Sequence, residues 1–129
     1  MSLPAALHIV VTDINPHVRE FLRRELAKEG YTVVGVKSAK SASERLWSSL
    51  PLDLIILDPE IFPSLDQLFI ETLVGHHPSL HIIIHTYTDS IPTLSPGPHL
   101  HLVEKNGQSI GTIKAIIQAW REHLQTPVD

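Results

Sequence analysis

The chain of 129 residues contains no cysteine and only one methionine. The absence of cysteine excludes disulfide bridges, thiolate-ligated zinc, iron–sulfur clusters and a cysteine nucleophile. No apolar run approaches the roughly 18 residues that a membrane-spanning helix needs. The N-terminal residues also lack the basic and apolar stretches of a signal peptide. We therefore expect a cytoplasmic protein that does not insert into a membrane.

Positive charge is also scarce, because the formal net charge is -4. This balance gives no reason to expect direct binding to nucleic acid. Hydrophobic residues make up 43% of the chain, which is enough to predict one folded domain without a structural metal. We place this domain at residues 7–124, with short tails at 1–6 and 125–129.

Five short apolar runs predict the strands of a buried parallel sheet. Four of them begin with leucine and end at a polar residue, and the other is rich in β-branched residues. Runs that are mostly apolar, rather than alternating, are typical of strands covered by helices on both faces. The runs occupy residues 7–13, 31–36, 52–58, 80–86 and 100–105.

Helical periodicity follows the first two runs. Asn15 is a suitable N-cap and Pro16 suits the first helical position, so we predict a helix that Gly30 ends. The second helix is predicted to start at Ser41, which has capping-box spacing to a glutamate, or nearer Ser38. Its apolar stripe is expected to extend to Leu50.

Two further helices are predicted, separated by an irregular segment. Ser64 and Gln67 have the spacing of a capping box ahead of an apolar stripe that includes Leu68. A long closing helix follows Asn106, while three prolines make a full fourth helix improbable over residues 88–99, where we expect one turn at most. This alternation predicts a three-layer α/β sandwich.

Polar residues end four of the five runs, namely Asp13, Asp58, Thr86 and Lys105. Parallel strands joined by right-handed crossovers all end at the same edge of a sheet, so these side chains should converge there. A carboxylate in that position can act as a nucleophile toward phosphorus. A lysine, a hydroxyl and a carboxylate-bound cation supply the charge neutralisation that phosphoryl transfer requires.

The chain resembles the response-regulator receiver domain of two-component signalling. The stretches that carry the resemblance are VVTDINPHVREFL, YTVVGV, LPLDLIILDPEIFP, IIIHTYT and LVEKN. The resemblance implies a flavodoxin-like five-stranded parallel sheet of order 2-1-3-4-5, here with an irregular fourth helix. It also implies that Asp58 is the phosphoacceptor, Thr86 the switch hydroxyl and Lys105 the phosphoryl contact. Asp13, Asp58 and the backbone carbonyl of Glu60 would bind Mg²⁺.

The resemblance further implies the partners of the domain. A sensor histidine kinase or a phosphotransfer protein would supply the phosphoryl group to the aspartate. Output would pass to a downstream protein or to an effector domain outside these residues, and a homodimer is a further expectation. A receiver is a phosphoacceptor with at most slow autophosphorylation and autodephosphorylation, so we do not predict an enzyme.

One departure from the family pattern affects the acidic pair. Receivers usually carry two adjacent acids after the first strand, whereas here Asp13 is followed by Ile14. Because Mg²⁺ prefers oxygen ligands, we expect it to bind weakly. Two hypotheses therefore remain beside the phosphoacceptor: a receiver-like interaction module that does not depend on phosphorylation, and, with less support, a phosphatase of the aspartate-nucleophile type.

Six of the nine histidines lie between residues 76 and 101. By strand alternation, His81 and His85 share one face of their strand, and His99 and His101 share one face of the next. These four could bind zinc. The alternative is that the imidazoles border a half-exposed end of the sheet and form local hydrogen bonds.

Overall fold

The computed structural model describes residues 7–62, 65–87, 94–95, 97 and 99–125. The tails and most of the segment predicted to hold an irregular turn lie outside the described residues. Within the described part, five strands alternate with helices. They are β1 (His8–Thr12), α1 (Pro16–Ala27), β2 (Thr32–Val36), α2 (Ala39–Leu46), β3 (Leu54–Leu57), α3 (Gln67–His76), β4 (His81–Thr86), β5 (Leu100–Glu104) and α4 (Ser109–Gln125).

The five strands form one parallel sheet of order β2-β1-β3-β4-β5. This order confirms the predicted flavodoxin-like α/β fold. In its register, Val11 of β1 lies opposite Ile56 of β3, and Leu57 of β3 lies opposite Ile84 of β4. The residues that follow β1 and β3 therefore emerge side by side at the carboxyl edge of the sheet.

Two apolar clusters cover the two faces of the sheet, which gives the predicted three layers. The strand side chains alternate between the clusters because successive side chains of a strand point to opposite faces. One face packs Ile9, Val11, Ile56 and Ile83 against Leu22 and Leu26 of α1 and Ile113 and Ile117 of α4. The other face packs Val10, Ile55, Leu57, Ile82 and Ile84 against Ala42 and Leu46 of α2 and Ile70 and Leu73 of α3.

Burial is not uniform across the sheet. Every residue of β3 and β4 is buried, whereas β2 at the sheet edge has only exposed and half-buried positions. Val34 of β2, for example, is 41% exposed. The sequence pattern of β2 does not reveal its edge position, because β-branched residues suit edge and central strands alike.

The first helix begins and ends where the sequence predicts. The side chain of Asn15 accepts hydrogen bonds from the amides of His17 and Val18, and Pro16 occupies the first helical position. Gly30 follows the helix with a φ of 92°, a conformation that glycine adopts without steric cost. The second helix is capped by Ser38, which is the earlier of its two predicted starting positions.

The predicted start of α3 is wrong. Its N-cap is Asp66, whose side chain accepts a hydrogen bond of 2.8 Å from the amide of Phe69, so the helix begins at Gln67 and not after Ser64. Two residues predicted for apolar stripes are also exposed. Leu68 is 70% exposed, because Ile70 and Leu73 form the face of α3 that packs on the core; Leu73 was predicted for the stripe and is buried there. Leu50 lies beyond the end of α2 and is 57% exposed.

No helix in the described part of the chain is long and apolar enough to cross a membrane.

Candidate functional site

Each of the four predicted site residues lies at the carboxyl edge of the sheet. Asp13 follows β1, Asp58 follows β3, Thr86 ends β4 and Lys105 follows β5. All four side chains are largely shielded from solvent. Asp13 and Asp58 are 0% exposed, Thr86 is 2% exposed, and the Lys105 side chain is 8% exposed. The expected convergence of ionisable side chains is therefore present, and it is buried.

Lys105 joins the two carboxylates. Its Nζ lies 3.0 Å from Oδ2 of Asp13 and 3.2 Å from Oδ2 of Asp58, and it donates a hydrogen bond to the latter. The ion pair with Asp13 is close but poorly directed for a hydrogen bond, and none of the described residues hydrogen-bonds to that oxygen. One ammonium thus contacts two buried carboxylates and offsets part of their charge.

The pKa values of this cluster follow from burial and charge. Burial raises the pKa of Asp13, and the opposing effects of the Asn15 amide and the Lys105 ammonium do not cancel that rise. Burial alone would lower the pKa of Lys105, but the close contacts with the Asp13 and Asp58 carboxylates and their charges leave it above its usual value. Lys105 therefore remains a cation at neutral pH.

Two main-chain amides orient the carboxylate of Asp58. The amide of Ile14 donates to Oδ2 at 2.9 Å, and the amide of Glu60 donates to Oδ1 at 3.0 Å. Ile14 therefore contributes through its main chain, although its side chain supplies no oxygen and is 56% exposed. With Lys105, these donors give both oxygens of Asp58 a partner.

Thr12 is a site residue that the sequence reasoning missed. Its buried hydroxyl donates to the carbonyl of Ile56 at 2.9 Å and accepts from the amide of Asp58 at 3.0 Å. The hydroxyl thereby fixes the main chain at Asp58 to the end of β1. A threonine beside the strand-end aspartate was the only available signal, and it is indistinguishable from an ordinary β-residue until the register is known.

Replacement of Thr12 by valine is expected to lower the free energy of unfolding by about 1–3 kcal/mol, because the similar shape retains the packing while a buried amide loses its partner. Urea denaturation followed by tryptophan fluorescence measures this loss. Thr32→Val, at an exposed position of edge strand β2, is the matched control and should change stability by less than about 0.5 kcal/mol. Equal effects of the two substitutions would contradict the role assigned to Thr12.

Thr86 and Tyr87 place the end of β4 beside this cluster. The carbonyl of Thr86 accepts a hydrogen bond of 2.8 Å from the amide of Lys105, which continues the pairing of β4 with β5. The ammonium of Lys105 lies 5.4 Å from the ring centroid of Tyr87, which is 55% exposed. The ammonium of Lys105 therefore lies next to a partly exposed aromatic side chain.

Two carboxylates at this edge could take part in holding a divalent cation. Asp13 and Asp58 are the two carboxylates at this edge, and Lys105 already lies within 3.2 Å of both. The poorly satisfied Oδ2 of Asp13 is suited to a hard cation, but such an ion would compete with the ammonium. For Glu60 the structure shows the amide contact to Asp58, and its carbonyl remains an expectation for metal binding.

The four histidines of the zinc hypothesis do not form a ligand set. No group of three or more His, Cys, Asp or Glu side chains among the described residues could hold a metal ion. His81 and His85 are four residues apart on β4, or about 13 Å along the strand. Nε2 of His81 instead forms a hydrogen bond of 3.1 Å with Nδ1 of His99, and its ring packs on Trp120 at a centroid distance of 4.0 Å. His81 and His99 therefore fit the alternative prediction, in which the imidazoles form local hydrogen bonds.

Comparison with solved structures identifies the class of fold. A response regulator receiver protein from Sinorhizobium medicae superimposes with a TM-score of 0.68 at 19% identity, covering 90% of this chain and 95% of that one. A two-component response regulator from Clostridium difficile gives 0.71 at 15% identity, covering 93% and 99%. The response regulator TrrA from Thermotoga maritima, in complex with Mg²⁺ and BeF, gives 0.64 at 24% identity, covering 88% and 97%.

These likenesses establish that the chain has the response-regulator receiver fold, as the sequence resemblance predicts. No family model matches the chain, and no curated protein sequence matches it significantly. Function therefore has to be argued from the site itself.

Proposed function

We propose that the chain is a receiver domain of two-component signalling that accepts a phosphoryl group on Asp58. The observation that supports this most directly is the arrangement at the carboxyl edge of the sheet, where Asp58 is buried beside Lys105 and oriented by two main-chain amides. An aspartate that served only as a strand-end cap would not need a buried ammonium at 3.2 Å.

In the proposed reaction, a carboxylate oxygen of Asp58 attacks the phosphorus of a phosphohistidine. The new bond joins that oxygen to phosphorus, the phosphorus–nitrogen bond breaks, and the phosphohistidine, protonated on its other ring nitrogen, leaves as a neutral imidazole. Lys105 moves its contact from the carboxylate to the phosphoryl oxygens and balances their charge. The hydroxyl of Thr86 donates a hydrogen bond to the same group. The amides of Ile14 and Glu60 keep the carboxyl group in place.

A bound Mg²⁺ would supply additional charge neutralisation for the phosphoryl oxygens. In this proposal Asp13, Asp58 and the carbonyl of Glu60 hold it, and the binding is weak because Ile14 stands where a second acid is usual. The two carboxylates and the incomplete hydrogen bonding of Asp13 are compatible with this role. Mg²⁺ is bound in the structure of the Thermotoga maritima regulator, and its binding to the present chain is part of the proposal.

The added charge would act as a switch. Transfer of Lys105 toward the phosphoryl group weakens its pairing with Asp13 and biases the segment that follows Thr86, which changes the surface offered to a partner.

A histidine kinase or phosphotransfer protein supplies the phosphoryl group in this proposal. A downstream protein or an effector domain elsewhere in the full protein receives the signal. The domain itself would turn over no substrate, and a cytoplasmic location and a homodimer remain predictions.

Asp58→Asn is expected to abolish phosphorylation. The protein is incubated with acetyl phosphate and Mg²⁺ and examined by intact mass for one added phosphoryl group. Glu60→Gln is the matched control, because the exposed side chain of Glu60 has no role in the proposal while its amide is retained. The absence of an adduct on the folded native protein, or its persistence in Asp58→Asn, would contradict the proposal.

A second function is favoured by one observation. Both oxygens of Asp58 already have partners within the chain, and the exposed side chain of Ile14 lies at the rim of the site where an acid is usual. A receiver-like interaction module that needs no phosphorylation fits these facts. The same experiment separates the two functions, since this module remains unmodified by acetyl phosphate. Steady turnover of a generic phosphate ester would instead support a phosphatase.

A further inference from the structure

One arginine of α1 reaches back to the turn that follows β1. Nη1 of Arg19 donates a hydrogen bond of 2.8 Å to the main-chain carbonyl of Asp13, six residues earlier in the chain. The arginine side chain is half-buried, so water competes only in part for this carbonyl. The reaction proposed above makes no use of this contact, although Asp13 is one of the two carboxylates of the site.

The peptide unit between Asp13 and Ile14 carries hydrogen bonds at both of its ends. Its carbonyl accepts from Arg19, and its N–H donates to Oδ2 of Asp58 at 2.9 Å. The atoms of a peptide unit lie in one plane, so the carbonyl and the N–H turn together. The contact of Arg19 with one end therefore fixes the direction of the other end, which points to the proposed phosphoacceptor.

The charge of Arg19 adds to this geometric effect. An arginine is always protonated in proteins, and a charged donor binds a carbonyl more strongly than a neutral donor does. Hydrogen bonds in a chain polarise one another, so a strong donor at the carbonyl makes the N–H of the same peptide a better donor. Arg19 can thus act on the carboxylate of Asp58 through one main-chain link.

Gly35 of β2 leaves the space that Arg19 occupies. It lies opposite Val11 of β1, on the face of the sheet that α1 covers. A Cβ atom at this position would lie 3.2 Å from Cγ and 3.5 Å from Cδ of Arg19. The first distance is shorter than the separation of about 3.5–4.0 Å at which carbon atoms pack best. The missing side chain therefore lets the arginine lie against β2 while its guanidinium reaches Asp13.

A second hydrogen bond in the same turn acts on a different group. The amide of Asn15 donates to Oδ1 of Asp13 at 2.8 Å. This bond holds the carboxylate of Asp13, whereas Arg19 holds the main-chain carbonyl of the same residue. The orientation of the peptide unit therefore depends on the arginine.

We propose that Arg19 is a positioning residue, which holds the peptide unit between Asp13 and Ile14 so that its N–H binds the carboxylate of Asp58, and that this arrangement requires glycine at position 35. The positioning follows from the hydrogen bonds alone. Its effect on phosphoryl transfer rests on the proposed function, in which Asp58 is the nucleophile.

The amide proton of Ile14 reports directly on this peptide unit. In nuclear magnetic resonance spectra of the unphosphorylated protein, Arg19→Met should move this resonance upfield, because the bond to the carboxylate of Asp58 weakens. Gly35→Val should move it in the same direction, since the added side chain displaces the arginine. Gly35→Val leaves the arginine itself in place, which keeps the test decisive if Arg19→Met folds poorly.

Further variants separate positioning from a general loss of structure. Arg23→Met removes another arginine of α1 and should leave the resonance unchanged. Gly75→Ala adds a Cβ that meets nothing within 4 Å, and should also have no effect. The double variant Arg19→Met/Gly35→Val should move the resonance no further than Arg19→Met alone, because both changes break the same contact. Arg19→Lys retains the cation and should restore part of the native shift.

The rate of phosphorylation tests the consequence for the acceptor. With acetyl phosphate and Mg²⁺, Arg19→Met should react about tenfold more slowly than the native protein, because a less firmly oriented nucleophile is aligned with the phosphorus less often. An unmoved Ile14 resonance in Arg19→Met or Gly35→Val would overturn the proposal. A moved resonance in a chain that acetyl phosphate does not modify would support the positioning and contradict the proposed function. A moved resonance with an unchanged rate would contradict the effect on phosphoryl transfer.

Discussion

Lowering the pH from 6.5 to 4 is expected to reduce the free energy of unfolding by about 3 kcal/mol for each of two buried histidines, His81 and His85. Burial lowers the pKa of both rings from 6.5 to about 4. The neighbouring charges of His99 and His101 add to the shift at His81, and that of Lys105 adds to it at His85.

The sign follows from proton binding in the two states. Between pH 4 and 6.5 the unfolded chain binds protons at these histidines, whereas the folded chain keeps the rings neutral. Stability is therefore complete above pH 6.5 and declines as the pH falls toward 4. Asp13 acts in the opposite direction, because its raised pKa means that its ionisation opposes folding as the pH rises above 3.8. The histidines dominate because the shifts of His81 and His85 are large, and His101, whose pKa burial also lowers, acts in the same direction.

Urea denaturation at a series of pH values measures this dependence. His81→Leu and His85→Leu should each remove about half of the slope between pH 4 and 6.5. His17→Ala, at an exposed position at the start of α1, is the control and should leave the slope unchanged. His85→Leu should also raise stability at neutral pH by about 1–3 kcal/mol, because it removes a buried imidazole whose ring nitrogens have no hydrogen-bond partner among the described residues. A flat pH profile in the native protein would contradict the burial of both rings.

Removal of the cation at the acidic site should have an effect of similar size. Lys105→Met is expected to lower the free energy of unfolding by about 3–5 kcal/mol, because it leaves Asp13 and Asp58 buried without a counter-charge. The ammonium lies 3.0 and 3.2 Å from the two carboxylates, and the Lys105 side chain is 8% exposed, so water cannot readily take its place. Methionine keeps the length of the side chain and so isolates the charge.

A second substitution identifies the cause of that loss. Asp13→Asn in the Lys105→Met background removes one of the two facing charges and should recover part of the stability, whereas a simple packing defect would not respond. Millimolar Mg²⁺ should also stabilise Lys105→Met more than the native protein if the cation and the ammonium compete for the same oxygens. Thermal unfolding with and without Mg²⁺ measures both effects. A fully stable Lys105→Met protein would contradict the charge balance described here.

Much of the fold could be predicted from the chain alone because its signals are local. Asn15, Pro16 and Gly30 specify the bounds of α1 through capping and backbone preference. The apolar runs indicate the strands, and their polar last residues place Asp13, Asp58 and Lys105 at one edge. The strand order came from the resemblance to receivers. At α3 the local signal was ambiguous, since Ser64 and Asp66 are both suitable N-caps, and the structure uses Asp66.

The rest of the site depends on contacts between residues that are distant in sequence. The hydroxyl of Thr12 meets Asp58 across 46 residues, and the amide of Ile14 meets the same carboxylate across 44. These hydrogen bonds depend on strand register, and neither a threonine nor an isoleucine in the sequence predicts them. The isolation of His85 is equally invisible in the sequence, because whether a buried imidazole has a partner depends on what packs around it.

The span of these contacts has a consequence for how the protein is made. Lys105 reaches Asp58 across 47 residues and follows the last strand of the sheet. During synthesis, β1 and β3 leave the ribosome well before β5, so for that interval two carboxylates approach one another without the ammonium that balances them. The central strands should consequently associate late, once the C-terminal third has emerged. The cluster of Asp13, Asp58 and Lys105 therefore forms only after β5 has been synthesised.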